Sequence, residues 1–364
     1  MTAEQLISFA RGAPSLDIVD VEGLKAAAVR AFDADPAGIT AYGTSVGYPP
    51  LRKWIAEKHG VEADQVLITN GSLQADAFLF DHLVRRGDAV VVERPTYDRT
   101  LLNLQQMGGE IHGVTIQPDG LDTAELRKLL ESGVRPRLAH VIPNYQNPAG
   151  VTLSLEKRRE LLDLAAEYGF TIFEDDPYAD IRFRGEPLPS MLSMDGRGVV
   201  VHASSFTKTV CPGVRVGYLI GPAELIAAIA KKATSLYISP GMVSEAIVHQ
   251  FCVSGDIERS IGKVSTALGE RAQVLAESLR RHIPEARFVE PDGGYFLWVE
   301  LPEDVEVDRL GPAAAERGVA VVKGSDFVLD GGRHALRLAF SAVTVDRIDE
   351  GVRRLAEAME AVRA

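Results

Sequence analysis

A chain of 364 residues, 46% hydrophobic and 25% charged, is long enough for one large core and a smaller one, and no tract is biased enough to suggest disorder. Its formal charge of -12 repels polyanions, which argues against nucleic acid and anionic membrane surfaces as partners. The two cysteines, Cys211 and Cys252, stand in no metal or redox spacing, so a reducing, cytoplasmic compartment is expected; no window is apolar for long enough to span a bilayer.

Between about residue 50 and residue 235, strand-like apolar runs alternate with amphipathic segments, the rhythm of an α/β fold whose mostly parallel sheet is covered by helices. The runs are "VLIT" (66–69), "AVVV" (89–92), "LAHVI" (138–142), "FTIF" (170–173), "VVVHA" (199–203) and "RVGYLIG" (215–221). Most are continuously apolar, as strands buried on both faces should be. In "SLEKRRELLDLAAEYG", Leu161, Leu164, Ala165 and Tyr168 recur at helical spacing; Ser154 is placed to cap that helix and Gly169 to end it. Beyond residue 255 a charged helical stretch runs to about His282, followed by "YFLWVEL", a helix near 307–317, "ALRLAFS" and a terminal helix. This change of character predicts a second, α+β domain. In the terminal helix Val345, Ile348, Val352, Leu355 and Met359 form one apolar stripe, read as core packing.

The chemistry concentrates in "SSFTKTVCPGVRVG", residues 204–217. Lys208 follows a buried strand, where desolvation disfavours its charged form and lowers its pKa. That cost becomes useful if the amine acts as a nucleophile towards a carbonyl, with Ser205, Thr207 and Arg215 gathered round an anion such as phosphate. Pyridoxal phosphate combines those needs. Its site also demands a carboxylate for the ring nitrogen, donors for the ring hydroxyl, an aromatic face and backbone amides for the phosphate. "FTIFEDDPYAD" offers Asp175 and Tyr178, "PNYQNPAG" Asn147, "TNGSLQADAF" Gly71 and Ser72, and "ERPTYDRT" Tyr97. Each lies where a strand hands over to a helix, the usual ligand crevice of an open α/β sheet.

From "ISFARGAPS" to "ALRLAFS" the chain resembles the fold-type I pyridoxal phosphate enzymes of the class I/II aminotransferase family, in its 2-aminoadipate, aromatic and branched-chain branch. The resemblance implies a large domain with a mostly parallel seven-stranded sheet, here 46–265, a small α+β domain, 266–364, and an N-terminal segment, 1–45, that covers the substrate site and joins the small domain. It implies that Lys208 carries the cofactor and shuttles a proton, and that Asp175, three residues before Tyr178, partners the ring nitrogen; the neighbouring Asp176 is the alternative. Tyr178 and Asn147 are implied as ring-hydroxyl ligands and Tyr97 as the residue stacked on the ring. Ser72, the Leu73 amide, Ser205 and Arg215 form the implied phosphate cup. Relatives often have glutamine where this chain has Leu73, which leaves a backbone contact there. Tyr42 resembles a tyrosine that reaches the phosphate from a neighbouring subunit, implying a homodimer with shared active sites. Arg337 resembles the arginine that grips the α-carboxylate. Asn147 and Gly12 are further substrate contacts, and Arg11 either meets a side-chain carboxylate or faces solvent.

The expected reaction moves an amino group from an L-amino acid to a 2-oxo acid, 2-oxoglutarate being the family's common choice, in two half-reactions. The same scaffold also supports C–S β-elimination. A third reading comes from "GTSVG" (43–47), which fits the nucleophile elbow of an α/β-hydrolase through Ser45. That elbow turns directly from strand to helix, whereas Pro49 and Pro50 place Ser45 in a loop. A regulator's effector domain is the weaker reading for so acidic a chain whose fold begins by about residue 7. The eight histidines are scattered in no metal spacing and are read as structural.

Overall fold

The computed structural model describes residues 6–363. Its strands, in chain order, are β1 (Ile7–Ser8), β2 (Val66–Thr69), β3 (Ala89–Arg94), β4 (Glu110–Gln117), β5 (Gly120–Leu121), β6 (Leu138–Val141), β7 (Thr171–Asp175), β8 (Val200–Ser205), β9 (Gly217–Ile220), β10 (Phe296–Glu300), β11 (Val319–Ala320), β12 (Val322–Lys323) and β13 (Ala335–Ala339). The main sheet runs in the order β2-β9-β8-β7-β6-β3-β4-β5. From β8 to β4 every neighbour is parallel, while β9 runs antiparallel to both β2 and β8. The sheet therefore has eight strands rather than seven, the additional one being β5, a two-residue hairpin partner of β4.

Apolar runs become central strands because both faces are covered. Val90 and Val92 turn to one side with Leu67, Phe173 and Leu219, against the Ser72–Leu83 and Ala223–Tyr237 helices. Val91, between them, turns to the other with Ala139 and Ile172, against the Leu155–Tyr168 helix. Ser154 caps that helix by accepting from the Lys157 amide, and Gly169, at φ 74°, closes it. Sequence pattern did not disclose β4, and the reason is physical: it borders an edge, only Val114 of its residues is buried, and "EIHGVTIQ" carries polar groups throughout.

A smaller antiparallel sheet, β10-β13-β12, packs on the Asp256–His282 and Val345–Arg363 helices. Ile348, Val352, Leu355 and Met359 from the terminal stripe are buried there with Leu268, Leu275 and Leu336. Ile7, Phe9 and Ile18 join the same core, and β1 pairs with β11. The N-terminal strand is thereby tied to the C-terminal part of the chain, and residues 9–15 pass the carboxyl ends of the main strands.

Candidate active site

At that end of the sheet the chain repeatedly turns from strand to helix. Tyr97 follows β3 and precedes the Asp98–Met107 helix; Asn147 follows β6; Asp175 ends β7; Ser205 ends β8 with Lys208 three residues on; Arg215 comes just before β9. Ser72 opens the helix after β2. Together with Leu73, Tyr178 and Thr207, these residues line one cavity of about 290 Å³. A larger surface cavity of about 510 Å³, beside Arg159, Asp163 and Arg197, gathers no comparable set.

One end of the cavity is built for an anion. The first amides of a helix lack intrahelical acceptors and carry the positive end of its dipole, so the Ser72 and Leu73 amides supply donors there. Gly71 makes the approach possible: its φ is 86°, and a Cβ would lie 2.3 Å from Arg215 Nη2. Arg215 itself adopts a left-handed backbone, φ 50°, and donates from Nη2 to the Asn70 carbonyl at 3.1 Å, which pins its guanidinium at the helix start. Ser205 Oγ donates to Thr207 Oγ1 at 2.7 Å on the facing wall.

Lys208 occupies the centre. Its ammonium donates to the Gly12 carbonyl at 2.8 Å and lies 5.4 Å from the Tyr178 ring and 4.9 Å from the Tyr295 ring. Burial, reinforced by the Arg337 charge and opposed by Asp175, pulls its pKa down to about 8. Tyr295 Oη donates to the Lys208 carbonyl at 2.9 Å and fixes the backbone below it. Asp175 is 4% exposed; its Oδ2 lies 3.4 Å from His140 Nε2, and its Oδ1 is buried without a partner among the described residues. Burial pushes the Tyr178 hydroxyl well above its ordinary value, and that of Tyr97 up to about 12, so both remain neutral.

Arg337, on β13, is 8% exposed and donates from Nη1 to Asn147 Oδ1 at 3.1 Å and from Nη2 to the Ala10 carbonyl at 2.8 Å. Its guanidinium lies 4.5 Å from the Phe296 ring and 4.8 Å from that of Phe327, and Nε is buried with no partner among the described residues. Gly12 abuts the same phenylalanine: a Cβ there would meet Phe296 Cζ at 2.5 Å.

Of the residues singled out by sequence, Ser72, Leu73, Tyr97, Asn147, Asp175, Tyr178, Ser205, Lys208 and Arg215 converge on the cavity, with Gly12 and Arg337 joined through Lys208 and Asn147. Asp176 does not: its Oδ2 accepts from Asn144 Nδ2 at 2.7 Å on the other side of the sheet. Tyr42 is 88% exposed and lies off the cavity. Arg11 is exposed, and its side chain makes no hydrogen bond or ion pair among the described residues. Ser45 sits in a turn, where Thr234 Oγ1 donates to its Oγ at 2.8 Å and no histidine bonds to it, which removes the hydrolase arrangement. Tyr295 and Phe296 escaped sequence reading because the apolar strand context of "YFLWVEL" explains an aromatic residue fully, and Phe327, at the end of the short Gly324–Phe327 turn, stood in no recognisable motif. His140, read as structural, abuts Asp175; a polar residue inside the buried run "LAHVI" was the available signal.

The chain belongs to the family of class I and II aminotransferases, which it matches over residues 4–355. It is 32% identical over 364 residues to the 2-aminoadipate transaminase of Thermus thermophilus, covering 99% of this chain and 91% of that one. It is 29% identical to aromatic-amino-acid aminotransferase 1 of Thermococcus litoralis, covering 98% and 88% respectively. The crystal structure of the Thermus thermophilus α-aminoadipate aminotransferase, complexed with N-(5'-phosphopyridoxyl)-L-leucine, superposes with a TM-score of 0.94 at 31% identity, covering 99% of this chain and 93% of that one. The protein is thus a pyridoxal phosphate-dependent enzyme of amino-group transfer, and neither C–S elimination nor hydrolysis is favoured. No helix among the described residues is long and apolar enough to cross a membrane.

Proposed function

We propose that the cavity around Lys208 holds pyridoxal phosphate and transfers the amino group of a broad range of L-amino acids, 2-aminoadipate and aromatic ones included, to 2-oxoglutarate. The observation that carries this reading is the convergence of an amine with depressed pKa, an unpartnered buried carboxylate and an anion cradle on one cavity. The residues fit the cofactor: Asp175 Oδ1 is free for the ring nitrogen, Tyr178 and Asn147 for the ring hydroxyl, Tyr97 for the ring face, and Ser72, the Leu73 amide, Ser205 and Arg215 for the phosphate. When bound, the cofactor supplies an electron sink that lets the α-proton of an amino acid leave.

This chain's own groups do the rest. Arg337, already oriented by Asn147 and flanked by two phenylalanine rings, takes the substrate α-carboxylate in place of the Ala10 carbonyl, beside Gly12. Lys208 Nζ, its pKa pulled to about 8, is free base often enough near neutral pH to accept the proton from the substrate's α-carbon. Asp175 would hold the ring nitrogen and Tyr178 would offer its neutral hydroxyl to the ring. Arg11 reaches a side-chain carboxylate of the donor. Tyr42, exposed on its own subunit, serves the phosphate of a second copy in a homodimer.

The test is the near-visible spectrum of the cofactor-loaded protein as single amino acids are added, followed by 2-oxoglutarate. Loss of the cofactor's band with a given donor and its return with the oxo acid are expected. A band that persists while pyruvate or ammonia accumulates would show a lyase instead.

A further inference from the structure

One buried carboxyl has no place in the roles above. Asp76 lies on the Ser72–Leu83 helix, four residues after Ser72, so the two side chains share a helix face. Its neighbours Ala75, Leu79 and Phe80 are fully buried and apolar. Asp76 is itself only 1% exposed, with Oδ1 buried and unpartnered, although a leucine would satisfy the packing at lower cost.

The reason lies across the interface with the sheet. The helix packs there through Phe80, one turn beyond Asp76: the Phe80 ring lies 6.1 Å from that of His140 and 5.6 Å from that of Phe173 on β7, and His140 Nε2 is 3.4 Å from Asp175 Oδ2, so the Asp76 and Asp175 charges act on each other and both act on the Tyr97 hydroxyl at the start of the next helix. Asp175 Oδ1 is likewise buried and unpartnered. Two carboxylates cannot both ionise in one dry site. Asp175 Oδ2 has His140 Nε2 at 3.4 Å. Asp76 has no cationic partner among the described residues: burial and the Asp175 charge both drive it towards the neutral acid, well above the usual carboxylate range. Other titratable groups whose charges act on the pair are Tyr97 and Tyr178, both neutral, His202, and Glu93 on β3, pushed up to about 8 by burial and already accepting from Gln146 and the Ile142 amide.

A neutral carboxyl is a donor, and a carboxylate offers about four acceptor positions, enough for a ring N–H, His140 and one more. We propose that Asp76 is a positioning residue of the cofactor site: as a neutral acid it donates a hydrogen bond to the Asp175 carboxylate, directly or through one water, and keeps that carboxylate aimed at the ring nitrogen. The proposal rests on the role given to Asp175 above.

Three variants test it. Asp76→Asn retains a donor of the same shape, Asp76→Leu fills the volume without one, and Asp175→Asn probes the underlying role. Pyridoxal phosphate affinity and the pH midpoint of the near-visible band are read for each, with thermal melting as the folding control. Asp76→Asn is expected within about 3-fold of wild-type affinity, and Asp76→Leu about 10-fold or more weaker with a displaced midpoint. Equal affinity and midpoint in Asp76→Leu and wild type would overturn the proposal, as would an Asp76→Asn variant no better than Asp76→Leu. If Asp76→Leu does not fold, infrared difference spectra of the holoenzyme decide: wild type at neutral pH should show a protonated-carboxyl stretch that Asp76→Asn lacks, and its absence from wild type defeats the idea. Unchanged binding in Asp175→Asn would show that the role of Asp175 itself is wrong, whereas a loss there without any effect at Asp76 defeats this inference alone.

Discussion

Glu174 and Asp175 are consecutive carboxylates on β7, and the pleat sends them to opposite faces of one sheet. Glu174 is saturated: it accepts from the Met191 amide at 2.6 Å, the Leu192 amide at 3.1 Å and His202 Nδ1 at 2.9 Å. Although burial pushes its pKa up, those three donors prevail and hold it below the ordinary value. Asp175 is also buried but lines the cavity and keeps one oxygen without a partner among the described residues. The two faces thus separate a structural carboxylate, whose two oxygens are both engaged within the chain, from one that keeps an unfilled acceptor. A buried polar atom without a partner is costly and uncommon, so its position is informative.

That contrast can be broken from either side. The largest effect is expected at the cavity's centre: Lys208→Ala should lose turnover altogether while its melting curve stays close to wild type, and normal turnover in that variant would sink the proposed mechanism. Asp175→Ala should lower kcat/KM by about 10³-fold, because a preorganised charge at the reacting ring is removed. If instead it mainly lowers stability, Asp175 belongs with Glu174 as a structural group.

On the closed face, Glu174→Gln should cost about 3 kcal/mol of stability, since it leaves His202 buried without its anion. The pH dependence has a definite sign. Glu174, depressed, stabilises above its unfolded value near 4.5 and loses that contribution as pH falls through its folded value. His202, raised by Glu174 against the opposing pull of burial, stabilises below 6.5 and loses that contribution as pH rises through its folded value. Melting differences between wild type and Glu174→Gln should therefore be greatest between about pH 4.5 and 6.5 and shrink on both sides. A difference that grows steadily with pH would contradict this assignment. The smallest effect is expected at the substrate's edge: Arg337→Lys should raise KM for amino donors by about 10-fold with a lesser change in kcat, because a point charge replaces a planar fork.

Local chemistry made much of this legible in the linear chain. Continuous apolar runs specify strands covered on both sides, Ser154 and Gly169 bracket a helix, and Lys208, Asp175, Tyr178 and Asn147 each stand at a strand exit, where one short segment carries both the fold signal and the functional group. Strand β4, next to the sheet edge, was hidden because partial exposure permits polar residues in no fixed alternation. What depends on distant segments meeting was decided by the tertiary structure. Spacing favoured Asp175 over Asp176 only through Tyr178, whereas the pleat separates them by face. Gly12 and Lys208 touch across 196 residues, and Arg337 and Asn147 across 190. The same holds for Asp76: in sequence it is one acid in "SLQADAFLF", and only the packing of its helix on β7, through Phe80 against Phe173, brings it near Asp175 with no cationic partner among the described residues. Hydrophobic period and turn chemistry are properties of neighbouring residues and can be read along the chain. Burial, charge coupling and an unfilled hydrogen bond belong to the space between segments, and they come into existence only when the chain folds.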